Sequence, residues 1–217
     1  MRNILFFHLL LSSFFYLNAQ NTGKWELVKE KEGIKVYARK VNSLPFDELL
    51  GIYTTNTRLS TIVSLLKDYN NQPNWVFANV ETRLLAAPNN FEWYYYMKTD
   101  APWPVADRDI IIHAVLTQDT LTKIIHINVE GLPDYLEKNE GIVRLPYLKS
   151  SWEFVPLSAG KTRIRLQILT DIGGEVPAWL VNMVKEKAPL NTLMQMRKEL
   201  KKDKYKKAQL PYINEKF

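Results

Sequence analysis

The sequence predicts an α+β fold: a curved antiparallel β-sheet closed by a long C-terminal α-helix around a hydrophobic cavity. Three observations lead there. Most of the chain between Trp25 and Asp171 divides into short segments whose side chains alternate apolar and polar, the period of a half-buried strand. One internal stretch repeats its apolar residues at helical spacing instead. A longer one does so after a Gly-Gly turn near the end. A sheet with one apolar face and a helix with one apolar stripe bury each other, and concave space that side chains do not fill becomes a ligand cavity.

The elements follow in order. Trp25 to Lys31 reads as a first strand, and Gly33 marks a turn. Ile34, Val36 and Ala38 then share one face of a second strand, with Lys35, Tyr37 and Arg39 on the other. Asn42, Ser43 and Pro45 break it, and Leu49 to Thr55 forms a third. Leu59, Ile62, Val63, Leu66 and Tyr69 fall on one face of a helix, with Asn56 or Thr57 as N-cap, and Asn70 to Pro73 ends it. Strands resume near Val80 and are clear at Phe91–Thr99 and Arg108–Gln118. The two prolines of the intervening Ala101–Asp107 exclude a central strand there. Trp103, between them, either gates a tunnel or covers the sheet edge. Lys123–Glu130, Lys149–Pro156 and Lys161–Asp171 complete the strands, with a loop through Gly131, Pro133 and Gly141 and a turn at Ser158–Gly160.

The closing helix starts after Gly173 and Gly174, with Pro177 in its first turn, where a missing N–H costs nothing. Trp179, Leu180, Met183, Val184, Leu190, Leu193, Met194 and Leu200 give it an apolar face. Pro189 is expected to kink or divide it. The expected organisation is a signal peptide at 1–19, one domain at 20–200 and a basic C-terminal tail at 201–217.

Composition narrows the function. A chain of 217 residues, 46% apolar, buries a sizeable core unaided. With no cysteine, thiol nucleophiles, thiolate metal sites and an N-terminal lipidated cysteine are excluded. His113 and His126 do not make a metal site by their spacing, so neither metal nor cofactor is expected. The net charge of +6 concentrates in Lys198, Lys201, Lys202, Lys204, Lys206, Lys207 and Lys216. Such a run is either a solvated face or a transient contact for anionic lipid head groups. No nucleic-acid motif accompanies it, and a monomer is expected.

The first residues read as an export signal: Arg2, then the mostly apolar run Ile4 to Leu17, then Ala19 for cleavage ahead of Gln20. The expected location is periplasmic or secreted. An uncleaved anchor is the alternative.

Several segments resemble a known family. Asp100-Ala-Pro-Trp-Pro-Val-Ala-Asp-Arg-Asp109 resembles the proline–aromatic–proline loop leading into the Arg-Asp strand of START (STAR-related lipid transfer) domains. Gly173-Gly-Glu-Val-Pro-Ala-Trp-Leu-Val-Asn182 resembles their Gly-Gly turn into the C-terminal helix. Asn74-Trp75 and Gly141-Ile-Val-Arg144 are similar to two further family steps, and the match runs from Trp25 to Leu200 in the family's order. The resemblance implies a helix-grip fold with a tunnel for one hydrophobic ligand. It also implies that Arg108 meets the ligand's polar end or a buried acid.

Alternation assigns the facing of side chains independently of any family. Lys98 belongs in water, so Tyr94 and Tyr96 face outward with it and Trp93, Tyr95 and Met97 face inward. Ile164, Leu166 and Ile168 oppose Arg163, Arg165 and Gln167; Ile125, Ile127 and Val129 oppose His126, Asn128 and Glu130; Trp152 and Phe154 oppose Glu153. Ile110 and Ile112 follow Arg108. The candidate ligand-binding residues are therefore Arg108, Tyr95, Met97, Ile110, Ile112, Ile125, Ile127, Trp152, Phe154, Leu166 and Ile168, joined by Leu180 and Met183 from the helix. Each is equally readable as plain core. Met183, Met194 and Met196 suit an adaptable apolar wall.

The function expected is binding, and transport, of a lipid or other hydrophobic small molecule. The alternative is an enzyme on the same architecture, like a polyketide cyclase or hydrolase. That chemistry needs acid–base groups inside the pocket, and the inward set offers Arg108 and Tyr95 but no His, Asp or Glu. No catalytic residue is assigned.

Overall fold

The computed structural model describes residues 23–42, 44–158 and 160–216. The expected signal at 1–19, with its cleavage point at Ala19/Gln20, lies outside the described residues. Among those described, ten strands form one sheet: β1 (Glu26–Lys31), β2 (Ile34–Lys40), β3 (Asp47–Thr55), β4 (Asn79–Asn89), β5 (Glu92–Thr99), β6 (Arg108–Gln118), β7 (Ile125–Gly131), β8 (Val143–Arg144), β9 (Tyr147–Ser158) and β10 (Lys161–Asp171). Their order is β1-β2-β3-β10-β9-β7-β6-β5-β4, all antiparallel. Short β8, which the sequence pattern does not reveal, runs parallel to the start of β6. Pairing of β3 with the distant β10 carries the N-terminal strands to where the last helix can cover them.

That helix, α2 (Ala178–Glu199), packs on β1, β2 and β3. It runs unbroken through Pro189, so of the kink or division expected there the division does not occur. Pro189 is buried and presses on Gly51 of β3. A Cβ at Gly51 would stand 2.6 Å from Leu193 Cδ1 and 3.3 Å from Pro189 Cβ. The missing hydrogen bond is offset by this close approach.

The internal helix α1 (Leu59–Leu66) buries nearly all its residues and is shorter than the spacing suggested. Asn70 to Pro73, expected as the helix stop, lie in a 3-10 turn, Tyr69–Asn74, which also takes in Tyr69, expected on the helix. Neither Asn56 nor Thr57 caps α1. Arg58 holds the N-cap position without a side-chain bond, and the Glu215 carboxylate accepts the Leu59 and Ser60 N–H groups at 3.0 and 2.8 Å. An anion there satisfies orphan donors and complements the helix dipole.

Glu215 reaches that place because the expected basic tail folds back onto the domain. Its short helix α3 (Asp203–Lys206) buries Tyr205, whose hydroxyl donates to Asp68 at 2.8 Å. Further on, Ile213 is buried, and Asn214 exchanges two bonds with the Gln118 amide at 2.7 and 2.9 Å. The lysines draw attention to charge, but the apolar residues between them decide the path.

On the outer face of β6, Asp109 and Arg144 form an ion pair at 2.7 Å, with side chains only 1% and 2% exposed. Arg144 also donates to the carbonyls of Pro133, Leu136 and Glu137, and Asn139 donates to Asp109. This network pins the loop between β7 and β8 against the sheet.

Candidate ligand-binding cavity

Between the concave face of the sheet and α2 lies a cavity of about 250 Å³. Tyr95 and Met97 reach it from β5, Arg108, Ile110 and Ile112 from β6, and Ile127 from β7. Trp152 comes from β9, Leu166 and Ile168 from β10, and Leu180 and Met183 from α2. The period-two facing brings these side chains together because the sheet curves around its apolar side.

Two expected residues lie elsewhere. Ile125 and Phe154 pair across β7 and β9 and are fully buried, but neither lines the cavity. They belong to the packed cluster that includes Ile62, Val63 and Leu65 of α1. They share the concave face with the lining residues but lie fully buried away from the open volume. The helix methionines divide in the same way. Met183 is wall, whereas Met196 is fully buried core outside the lining. Trp179, counted with the helix's apolar face, is 49% exposed.

Other walls escape the strand pattern. Trp75, Val76 and Ala78 come from the turn after α1, Leu145 and Leu148 from the start of β9 and its approach, and Ile172 from the turn before α2. Asn74-Trp75 was marked only by its resemblance, and irregular backbone gives no period to follow. Asp100, Ala101 and Pro102 also line the cavity, so one acidic residue belongs to the lining after all. Trp103 covers no sheet edge. It stands 91% exposed and does not line the cavity.

Arg108 is the cavity's fixed charge. The residue is 6% exposed. Its neighbours Asp107 and Asp109 are engaged elsewhere: Asp107 with Lys98 at 2.8 Å, and Asp109 with Arg144. Arg108 Nε donates to Ile172 O and Nη2 to Gly173 O, both at 3.3 Å, and Nη1 donates to Ala106 O. Burial pulls its pKa below the ordinary value, and the Asp107 charge offsets part of that. Guanidinium has five N–H donors. Three go to carbonyls, which leaves two to serve an oxygen in the cavity. Tyr95 adds a phenol that burial keeps neutral by raising its pKa.

Most of the remaining polar lining is committed to the fold, but the buried indole N–H of Trp75 has no hydrogen-bond partner among the described residues. Ser150 donates to Gln167 O at 2.8 Å, and Thr192 accepts the Phe77 N–H at 3.0 Å. Gln72 donates to Leu66 O and accepts from Thr82. No histidine is among the lining residues. Among the described residues, no group of three or more His, Cys, Asp or Glu could hold a metal ion, and no helix is long and apolar enough to cross a membrane. The arrangement can enclose an apolar body and present two hydrogen-bond donors to its polar end.

Comparison with known proteins places this architecture. No family model matches the chain. An uncharacterized protein of Pseudomonas aeruginosa is 33% identical over 178 residues, covering 82% of this chain and 87% of that protein. A crystal structure of a STAR-related lipid transfer protein from Xanthomonas axonopodis is 34% identical with a TM-score of 0.76, covering 82% of this chain and 99% of the other. Human StAR-related lipid transfer protein 5, at 16% identity and a TM-score of 0.72, covers 82% of this chain and 86% of its own and shares the fold.

Proposed function

This chain belongs to the STAR-related lipid transfer (START) family, and from that premise we propose that it binds and carries one lipid-like amphipath in the cavity beneath α2. The observation that carries the reading is the pairing of an apolar enclosure with one buried arginine that lacks a carboxylate partner among the described residues. An apolar cavity of about 150 Å³ is enough to admit benzene. A volume of about 250 Å³ therefore suits a medium acyl chain or a small fused-ring body. The ligand's anionic or carbonyl end lies at Arg108, which keeps its charge at any working pH.

The chain acts as a binder and not as an enzyme. A cyclase or hydrolase would need a positioned acid–base pair, whereas Arg108 is held by three carbonyls and burial keeps Tyr95 neutral. The apolar residues at 4–17 and Ala19 support export, so the ligand is met outside the cytoplasm.

Mass spectrometry of ligand co-purifying with the protein tests the reading directly, and a bound amphipath is the expected result. Titration of a carboxylate-ended chain and of the matching hydrocarbon then tests the role of Arg108. A hydrogen bond to a charged group contributes about 1.5–3 kcal/mol. Arg108→Leu should therefore weaken the carboxylate ligand roughly 10- to 100-fold and leave the hydrocarbon nearly unchanged. Arg108→Lys should restore only part, because an ammonium lacks the planar fork. Equal affinities of wild type and Arg108→Leu for the carboxylate ligand would refute the assignment.

A further inference from the structure

We propose that the cleft where the end of β3, the start of α1, the end of α2 and α3 meet is a second binding site, and that it takes a phosphate-type oxyanion. The cleft measures about 410 Å³ and shares no lining residue with the apolar cavity. Four cationic side chains, Arg58, Arg197, Lys201 and Lys206, line it together with four threonines and no carboxylate. Arg58 is held in place: its Nη2 donates to Lys206 O at 2.9 Å and Ala208 O at 3.2 Å, with Nε and Nη1 left over for a ligand. Arg197 pairs with Glu32.

Among the described residues, the neighbouring lysines divide into three that are paired and three, Lys198, Lys201 and Lys206, that are not. Lys202, Lys204 and Lys207 each meet a carboxylate, Glu199 at 2.7 Å, Asp68 at 2.7 Å and Asp203 at 3.8 Å. Lys201 and Lys206, the two that line the cleft, have no carboxylate partner among the described residues. Complementing the C-terminal dipole of α2 accounts for a cation at 201. It does not account for Arg58, which stands at the N-terminal end of α1, where the Glu215 carboxylate already complements the dipole. Four cations beside four threonine hydroxyls, with no carboxylate in the lining, suit a group with several anionic oxygens. Guanidinium and ammonium donors both serve such a group. This inference does not depend on what fills the apolar cavity.

Two sources can supply that chemistry: free phosphate, or the head group of an anionic phospholipid. The test uses the expressed chain, the double variant Lys201→Gln/Lys206→Gln, and a control that removes the same charge elsewhere, Lys138→Gln/Lys187→Gln. Inorganic phosphate is titrated at constant ionic strength while backbone amides are followed by NMR. Flotation is measured with phosphatidylcholine vesicles with and without phosphatidylglycerol. Thermal melting confirms that the variants are folded, since all four lysines are exposed.

Phosphate should shift amides at residues 54–61 and 201–206 in a saturable way. The cleft variant should lose about tenfold or more in affinity and the control less than twofold. If phosphatidylglycerol vesicle binding falls by about 30-fold in the cleft variant alone, the ligand is a lipid head group. If only phosphate binding depends on the cleft, the ligand is soluble phosphate. The proposal is overturned if neither form of binding depends on the cleft lysines, or if the control variant loses as much as the cleft variant.

Discussion

Removing the Asp109 carboxylate should destabilise this domain more than almost any other single polar change. Asp109 and Arg144 meet through two hydrogen bonds, at 2.7 and 3.1 Å, beneath the loop that runs to β8. Both side chains are almost fully buried. Asp109→Asn leaves the guanidinium buried with three carbonyls and no counter-charge, and breaking a buried pair on one side costs about 3–5 kcal/mol. For a domain of this length each kcal/mol lowers Tm by about 2–4 °C, so the expected drop is roughly 6–20 °C. Urea unfolding followed by tryptophan fluorescence gives the free energy. The double variant Asp109→Leu/Arg144→Met should lose clearly less than the two single variants summed, because it leaves no lone charge. The pH dependence carries the same signature. Burial alone would raise the Asp109 pKa, but hydrogen bonds from Arg144 and Asn139 and the Arg144 charge bring it below the ordinary value. Its contribution is thus present above the unfolded pKa of about 3.9 and is lost as pH falls through the lower folded value. A cost below about 1 kcal/mol for Asp109→Asn, as for an exposed pair, would refute this reasoning.

Three further outcomes are expected. Glu215→Ala should cost about 0.5–2 kcal/mol, the usual loss for an N-cap, and hydrogen exchange should speed up at the Leu59 and Ser60 amides, which donate to its carboxylate; unchanged exchange there would contradict the capping role. Gly51→Val should overpack the contact with Leu193 and Pro189 and cost about 1–3 kcal/mol, seen as a lower urea midpoint, whereas an unaltered midpoint would mean that α2 moves away freely. Leu180→Trp or Met183→Trp should reduce the amount of bound ligand more than the stability, because both line open volume; variants that unfold, with any folded fraction binding normally, would mark the helix face as plain core.

The sequence alone determined most strand spans, the antiparallel class, the closing helix and the inward facing of most cavity residues. Those properties come from periodicity, and periodicity is local. β6 and β10 begin at the residues the alternation marks, Arg108 and Lys161, and Tyr95, Ile112 and Leu166 face the cavity as their neighbours' polarity requires. Alternation gives the side of a sheet, not the distance to what lies opposite. Ile125 and Phe154 obey the same rule as Ile127 and Trp152, yet they meet packed core rather than open space. Partner choice was equally out of reach. Arg108 stands between two aspartates in the chain, but a strand sends adjacent side chains to opposite faces, so the guanidinium finds carbonyls near Gly173 while Asp109 finds Arg144. The last residues show the limit most clearly. Their lysines read as a solvated tail, and only the packing of Tyr205 and Ile213 brings Glu215 to the start of α1. That contact joins residues 156 positions apart, a separation no local pattern encodes.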